Sequence, residues 1–172
     1  CGTGSLMSVG VCGGQQALML MRGTLVSWVN VVWESWCLPR YSFILWLALL
    51  GRLRTRDKLH FVDTDESHNH LFFAYNWTSL LWMKVKSWLR LCRGMSTINS
   101  AVRGLHLKGK TAVTRMKKVS LSIVVYLIWE ERNRRVFEKS CSLVEPIFWR
   151  FQVLFHMILH FYEHNHLLTN VS

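Results

Sequence analysis

The residues best suited to bind a metal ion lie in the segment 60–70, where histidines alternate with acidic side chains. A structural zinc site usually takes four ligands in tetrahedral array, mostly thiolates and imidazoles. The segment contains no cysteine and therefore no C-x-x-C pair, so we expect a solvated polar loop without a tight zinc site. Its imidazole and carboxylate donors are His60, Asp63, Asp65, His68 and His70.

A second set of histidines lies near the C-terminus, at a spacing that places their side chains on one stripe of a helix. Paired histidines on a helix face bind zinc in metalloproteases, but that motif also requires a glutamate directly after the first histidine. The corresponding residue here is Met157. We therefore expect a polar stripe that faces solvent, formed by Gln152, His156, His160 and His164.

The charge of the chain gives the clearest indication of a partner. The chain of 172 residues has a formal net charge of +11, and its segment 67–129 contains no acidic residue. Such a segment attracts polyanions, because phosphate backbones release counterions when cations bind to them. The cationic residues in it are Lys84, Lys86, Arg90, Arg93, Arg103, Lys108, Lys110, Arg115, Lys117 and Lys118.

Two groups of cations are candidate contacts for an RNA or DNA backbone. One side of an expected helix over 79–92 carries cations that could meet successive phosphates, and a second cluster lies just upstream of the acid-free segment. The alternative is a solvated basic face that has no partner. The candidate residues are Lys86, Arg90 and Arg93 in the first group and Arg54, Arg56 and Lys58 in the second.

Catalytic constellations are absent from the sequence. Asp63, Asp65 and Glu66 lie close together, but no second acidic cluster completes a two-metal site. A glycine-rich phosphate loop, a G-x-S-x-G elbow and a deaminase zinc motif are also missing. We therefore expect that the chain is not an enzyme.

Composition and cysteine usage indicate one domain-sized core in a reducing compartment. Half of the residues are apolar, which suffices for a single core. The cysteines are odd in number and widely spaced, so we expect reduced and mostly buried thiols.

We expect an intracellular protein, nuclear or cytoplasmic and not secreted. We also expect a fragment of a longer reading frame, since the chain begins at Cys1. No apolar run reaches the length of about 20 residues that spans a membrane.

Helical periodicity dominates the chain, and strand-like alternation is not convincing. The predicted fold class is therefore mainly α: a small helical domain with long C-terminal helices and no substantial sheet. Pro39 suits the first turn of a helix that Gly51 can cap, and Thr78 can cap a later one. Helices are expected over 28–36, 39–50, 79–92, 121–138 and 148–164, with short ones over 55–59 and up to 74.

The helix near 119–137 is expected to supply the main core. Its first half is apolar, and its second half is charged. We expect the arginines of the charged half, Arg132, Arg134 and Arg135, to lie outside the core. The residues expected inside are Leu121, Val124, Val125, Ile128 and Trp129.

Two blocks of sequence resemble a known family. PRYSFILWLALLGRLRTRDKLHFVDTDESHNHLFFAY, residues 39–75, resembles the zinc-binding domain behind the polymerase of plant LINE-type (non-LTR) reverse transcriptases. VYLIWEERNRRVF, residues 125–137, resembles the end of the helical segment that follows it. The resemblance covers about 28–137 and implies sequence-tolerant binding to RNA or DNA. It also implies that His70 is a remnant zinc ligand and that Tyr75 stands where the family has its last cysteine.

The expected organisation follows from these patterns. Residues 1–24 form a poorly patterned segment, 25–93 a degenerate zinc-binding-like domain, 94–118 a basic linker, and 119–172 the C-terminal helices. The expected function is weak, non-specific nucleic-acid binding without catalysis and without zinc. The alternatives are a basic helical protein of the membrane surface, or the non-functional product of a decayed element.

Overall fold

A computed structural model describes residues 28–53, 70–91, 94–105, 107, 109 and 111–169, with the side chains of 70 and 163–169 left out. These residues contain no β-strand, so the prediction of a mainly α fold without a substantial sheet is confirmed for the described part of the chain. The helices are α1 (Val29–Val32), α2 (Pro39–Leu49), a π-helical turn (His70–Ala74), α3 (Asn76–Trp88), α4 (Ile98–Gly104), α5 (Ala112–Phe137) and α6 (Val144–Thr169).

Helix α5 is the centre of the fold. Every residue from Lys118 to Ile128 is buried, so this part of the helix is covered on all sides. A helix that is apolar all round belongs in the interior of a protein. The two serines within the run satisfy their hydroxyls by donating to backbone carbonyls, Ser120 to Met116 and Ser122 to Val119, at 2.8 Å each. Helices α1, α2 and α6 and the π-helical turn contact α5, while α3 packs against the π-helical turn and α6, and α4 packs against α2.

Helix α2 begins and ends as the sequence predicts. Pro39 occupies its first turn, where a missing N–H costs nothing. Beyond its end, Gly51 has a φ of +61°. Its N–H donates to the carbonyl of Ala48, and the N–H of Arg52 donates to that of Leu47. These two bonds form a Schellman motif, which needs the left-handed conformation that glycine adopts without strain.

Helix α3 differs from its prediction at both ends. It begins at Asn76, so Thr78 lies inside the first turn, and its hydroxyl donates to the carbonyl of Tyr75 at 2.8 Å. The helix ends at Trp88 and not near residue 92, because Arg90 adopts a left-handed φ of 54° and closes a second Schellman motif. An arginine in this conformation is strained relative to glycine, which is why the sequence gives no sign of the stop.

The segment 94–118, expected as a basic linker, contains α4 and the first turns of α5. Helix α4 opens with a reciprocal capping box, in which Thr97 Oγ1 accepts from the Ser100 N–H and Ser100 Oγ accepts from the Thr97 N–H, both at 2.9 Å. Helix α5 begins at Ala112, nine residues before its expected start. Thr111 caps it by accepting from the N–H of Thr114 at 3.3 Å.

Helix α6 packs against α3 and α5 through the side that carries Ile147, Phe151, Phe155 and Ile158, all of which are buried. At its far end, Tyr162 stacks on Trp36 with ring centroids 5.3 Å apart and donates to the carbonyl of Ser35. This contact ties the end of α6 to the loop between α1 and α2. The expected helix over 28–36 is wrong beyond Val32, where the chain turns into that loop.

None of the helices in the described ranges is both long enough and apolar enough to cross a bilayer.

Candidate nucleic-acid interface

The first group of candidate cations lies at the C-terminal end of α3. Lys86 is half-buried in the last turn, and Arg90 is exposed just after it. Between them, the ring of Trp88 meets the rings of Phe155 and His156 on α6 edge to face, at centroid distances of 5.1 and 5.7 Å. The end of α3 is therefore fixed against α6, and its cations are held on a rigid support.

The expectation that Lys86 and Arg90 share one helix face is wrong, because the backbone leaves the helix between them. They remain on either side of Trp88 at the same end of α3. The other candidate phosphate contacts, Arg54, Arg56, Lys58 and Arg93, lie outside the described residues.

Three cations of the acid-free segment are neutralised by acids from other parts of the chain. Lys84 Nζ lies 2.7 Å from Glu145 Oε1 on α6. Lys118 Nζ lies 2.7 Å from Glu34 Oε2 and donates to the carbonyl of Gly109 at 3.3 Å, while Arg115 Nε lies 3.7 Å from Glu34 Oε1. Lys118 is buried, so its charge needs this partner.

Glu34 is held in its charged form by the same contacts. Its partial burial raises the pKa of the carboxyl group, but the hydrogen bond and positive charge of Lys118 and the charge of Arg115 outweigh that effect. The net result is a pKa below the ordinary value. The pair with Lys118 joins Glu34, near the start of the described chain, to the first residue of the buried part of α5.

The cations that remain in the acid-free segment have no acidic partner within the described part of the chain. Arg90 and Arg103 are exposed, and Lys86 and Lys117 are half-buried. These side chains form no hydrogen bond to another side chain of the described residues, so their charge is available to a ligand. They are the residues of the described structure that best fit a phosphate backbone.

The charged half of α5 has a structural role that the sequence does not reveal. Glu131 is 2% exposed and accepts hydrogen bonds from Arg134, from Arg135 Nε at 2.9 Å and from the Ser142 N–H at 2.7 Å. Ser142 in turn accepts from the indole of Trp77 on α3 at 2.9 Å through its carbonyl. Glu131 therefore joins α5 to the loop before α6, and through that loop to α3.

Burial by itself raises the pKa of the Glu131 carboxyl group. The hydrogen bonds from Arg134, from the Ser142 backbone and from Arg135 oppose it and lower the pKa below its ordinary value. The carboxylate is thus charged at neutral pH, and its oxygens accept hydrogen bonds from Arg134, Arg135 and Ser142. Arg134 and Arg135 are half-buried and committed to this carboxylate, so they are not free to meet a phosphate.

Two expectations about the core need correction. Arg132, expected outside, is 6% exposed, with its guanidinium 5.3 Å from the centroid of the Trp129 ring. Trp129, expected inside, is half-buried and lines a cavity of about 450 Å³ together with Glu130 and Arg150. The two side chains stack at the edge of the core. The aliphatic residues expected inside, Leu121, Val124, Val125 and Ile128, are all buried as predicted.

His70, which the family resemblance makes a remnant zinc ligand, opens the π-helical turn, and the structure describes its backbone only. At the end of the turn, Tyr75 is exposed and lines a groove of about 340 Å³ with Leu71, Trp77 and Lys139. A phenol on this rim does not replace a thiolate. Among the residues with described side chains, no group of three or more histidine, cysteine or acidic residues is close enough to hold a metal ion.

The described cysteines give no ligand set either. Cys37 is buried, and burial raises the pKa of its thiol to about 11, so it stays protonated and unreactive at neutral pH. Cys141 is exposed and free. The expectation of mostly buried thiols thus holds for one of these two residues. Among the described residues, no set of cysteine and histidine side chains fits a structural zinc ion.

Of the predicted histidine stripe, His156 and His160 are exposed on α6, while Gln152 is half-buried beside α3. The side chain of His164 lies outside the described residues. His156 is engaged by Trp88 and by the ring of Phe155, 6.0 Å away. The two described histidines therefore belong to a surface of aromatic and polar character.

In comparisons with known proteins, no protein-family model, no curated protein and no solved structure matches this chain.

Proposed function

We propose that this protein is a non-catalytic module that binds RNA or DNA through its phosphate backbone, weakly and without sequence preference. The resemblance of 39–75 and 125–137 to the tail of plant LINE-type reverse transcriptases supports the proposal, and so does the charge of the chain. In this proposal the module acts inside the cell, in the nucleus or the cytoplasm, and has no enzymatic activity of its own.

The observation that carries the proposal is that most described glutamates form ion pairs, while several lysines and arginines have no acidic partner among the described residues. Of the glutamates with described side chains, all but Glu138 form ion pairs with a lysine or arginine. Lys86, Arg90, Arg103 and Lys117 have no acid to neutralise them in the same part of the structure. A polyanion would supply the missing negative charge, and counterion release would drive its binding.

We further propose that zinc has no part in the fold. The segment 60–70 supplies no thiolate, and Tyr75 stands at the last family ligand position. A complete structural site contributes roughly 10 kcal/mol or more to folding, so zinc dependence would be obvious. Metal analysis of the purified protein is expected to find no stoichiometric zinc, and a chelator should leave the helical circular dichroism unchanged. The variant Tyr75→Cys should not acquire zinc, since two ligands would still be missing.

We expect the nucleic-acid affinity to fall steeply with salt and to be nearly equal for unrelated sequences. Anisotropy titrations with labelled single strands and duplexes over a range of salt concentrations measure both properties. Reversing Lys86, Arg90 and Arg93 to glutamate together should weaken binding to every sequence alike. The slope of log affinity against log salt should become shallower by up to about 0.9 for each phosphate of duplex DNA that the variant no longer neutralises.

The chain offers a matched control for the position of the charge. Arg90 and Lys139 are both exposed cations in a left-handed conformation, with φ of 54° and 53°. Arg90→Glu should weaken binding, while Lys139→Glu, with the same change in charge and similar backbone strain, should leave it nearly unchanged. Equal losses of affinity would mean that only the total charge matters. If the protein bound anionic vesicles but no nucleic acid at low salt, the result would favour the membrane-surface alternative, and binding to neither would favour the non-functional product of a decayed element.

A further inference from the structure

The groove of about 340 Å³ beside Tyr75 is lined by residues of the π-helical turn, the start of α3 and the second half of α5. Its apolar lining comes from all three elements, since Leu71 and Ile128 are buried there and Trp77 and Val136 are half-buried. Pockets that hold small molecules have volumes of roughly 300 to 1,000 Å³ and a mainly apolar lining with a few polar groups. The groove therefore has the size and the lining of a site for a small ligand.

Two of the polar groups in the groove already have partners within the protein. The Glu131 carboxylate accepts from Arg135 Nε at 2.9 Å, and the Arg135 guanidinium lies 4.8 Å from the centroid of the Trp77 ring. The hydroxyl of Thr78 donates to the carbonyl of Tyr75 at 2.8 Å. An apolar ligand that covers this carboxylate and this hydroxyl therefore leaves neither of them without a hydrogen bond.

Lys139 places a positive charge at the edge of the groove. It is exposed and forms no hydrogen bond or ion pair with another described residue. The acid next to it in sequence, Glu138, lines the separate cavity of about 450 Å³ on the other side of α5. Among the described residues of the groove, the only carboxylate is that of Glu131, and the cations are Arg132, Arg135 and Lys139. The described lining is thus positively charged.

Lys139 also has a backbone conformation that lysine seldom adopts. Its φ is 53°, in the left-handed region, and it follows Glu138, the C-cap of α5. Glycine is the usual residue at such a position, because it has no Cβ to clash. Residues in conformations of this kind cluster at ligand-binding and active sites. The lysine brings to the edge of the groove a charge that glycine would not supply.

We propose that this groove binds a small amphipathic anion, with a compact apolar body against Leu71, Trp77 and Val136 and one carboxylate or sulfonate group beside Lys139. The apolar lining accounts for the body of the ligand, and the positive charge at the edge selects an acid over an amine. The site is separate from the nucleic-acid function proposed above, which does not use Lys139.

Two fluorescent probes that share an aromatic body test the choice of an anion. Anilinonaphthalene sulfonate carries a negative charge, and phenylnaphthylamine is the same body without the sulfonate. Both become brighter in apolar surroundings, so titration of the full chain measures the two affinities. We expect the sulfonate to bind at least about fivefold more tightly, since one pair of opposite charges near water is worth roughly that factor. Equal affinities, or no binding of the sulfonate, would overturn the proposal.

A matched pair of glycine variants tests the role of Lys139. Lys139→Gly removes the charge and suits the left-handed backbone, so it should weaken binding of the sulfonate about fivefold. Its affinities for phenylnaphthylamine and for oligonucleotides should stay nearly unchanged. Arg90 is also an exposed cation, with a φ of 54°, so Arg90→Gly changes the charge and the backbone in the same way away from the groove. It should bind both probes as the parent chain does, and equal losses in the two variants would contradict a site at Lys139.

A matched pair of phenylalanine variants tests the position of the site. Val136→Phe places a ring in the groove and should weaken binding of both probes at least about tenfold, because the apolar body then loses its contacts. Val113, on the same helix, is 60% exposed and does not line the groove, so Val113→Phe should bind both probes normally. Circular dichroism checks that each variant is folded. Undiminished binding of the probes to Val136→Phe would show that they bind elsewhere and would refute the proposal.

Discussion

Replacing Glu131 with alanine is expected to lower the free energy of unfolding by about 3 to 5 kcal/mol, the usual cost of removing one partner from a buried ionic network. The substitution leaves Arg134, Arg135 and the Ser142 N–H without the carboxylate that they share. Urea denaturation followed by circular dichroism measures the loss. It is a large part of the stability of a small domain.

The effect of Glu131 should depend on pH in a defined direction. Because the pKa of its carboxyl group is lowered in the folded protein, its contribution is fully present above the unfolded value of about 4.3 and is lost as the pH falls through the folded value. The difference in stability between the parent chain and Glu131→Ala should therefore be constant near neutrality and shrink below about pH 4. Unfolding curves at neutral and acid pH measure this change.

Glu138 provides the control for this prediction. It lies at the end of the same helix, is exposed and forms no ion pair with a described residue. Glu138→Ala should change the free energy of unfolding by less than about 0.5 kcal/mol, as surface substitutions usually do. Similar effects of the two substitutions would contradict the buried network at Glu131.

The sequence predicts those parts of the fold that depend on local chemistry. The apolar run after Lys118 identifies the buried part of α5, and Gly51 identifies the end of α2, because few other residues tolerate its backbone conformation. The end of α3 is not predictable in this way, since Arg90 adopts a conformation that arginine seldom takes. Trp88, the last residue of the helix, packs against Phe151 and Phe155 of α6, and this tertiary contact is not visible in the local sequence.

The candidate site is harder to predict, because some of its cations form ion pairs with acidic residues that lie far away in the sequence. In the sequence, Lys118 appears as a free cation of a basic segment. In the structure, Glu34, eighty-four residues earlier, neutralises it. The pairs of Glu131 with Arg134 and Arg135 have helical spacing, but the carboxylate is 2% exposed and also accepts from the N–H of Ser142, eleven residues later. Sequence spacing predicts pairs three or four residues apart, and it does not predict pairs formed by tertiary packing.

Phe151→Ala is expected to cost about 3 to 5 kcal/mol of unfolding free energy, as truncation of a buried aromatic side chain usually does. Phe151 is completely buried, between the edge of Trp88 at 5.6 Å and the rings of Phe148 and Phe155 at 6.2 and 6.0 Å. Its removal leaves a cavity where α3 meets α6, because the residues around a truncated core side chain relax only partially. Thermal or urea unfolding of the variant measures the cost.

Trp129→Ala provides the comparison, and it separates the structure from the sequence-based expectation. The sequence places Trp129 in the core, which would give it a cost as large as that of Phe151. In the structure it is half-buried beside Arg132, so we expect a smaller loss of about 1 to 2 kcal/mol, in proportion to the apolar surface that leaves water. If Trp129→Ala cost as much unfolding free energy as Phe151→Ala or more, Trp129 would have to lie inside the core and not at its edge. Helix α5 would then have to be rotated to bring Trp129 inside.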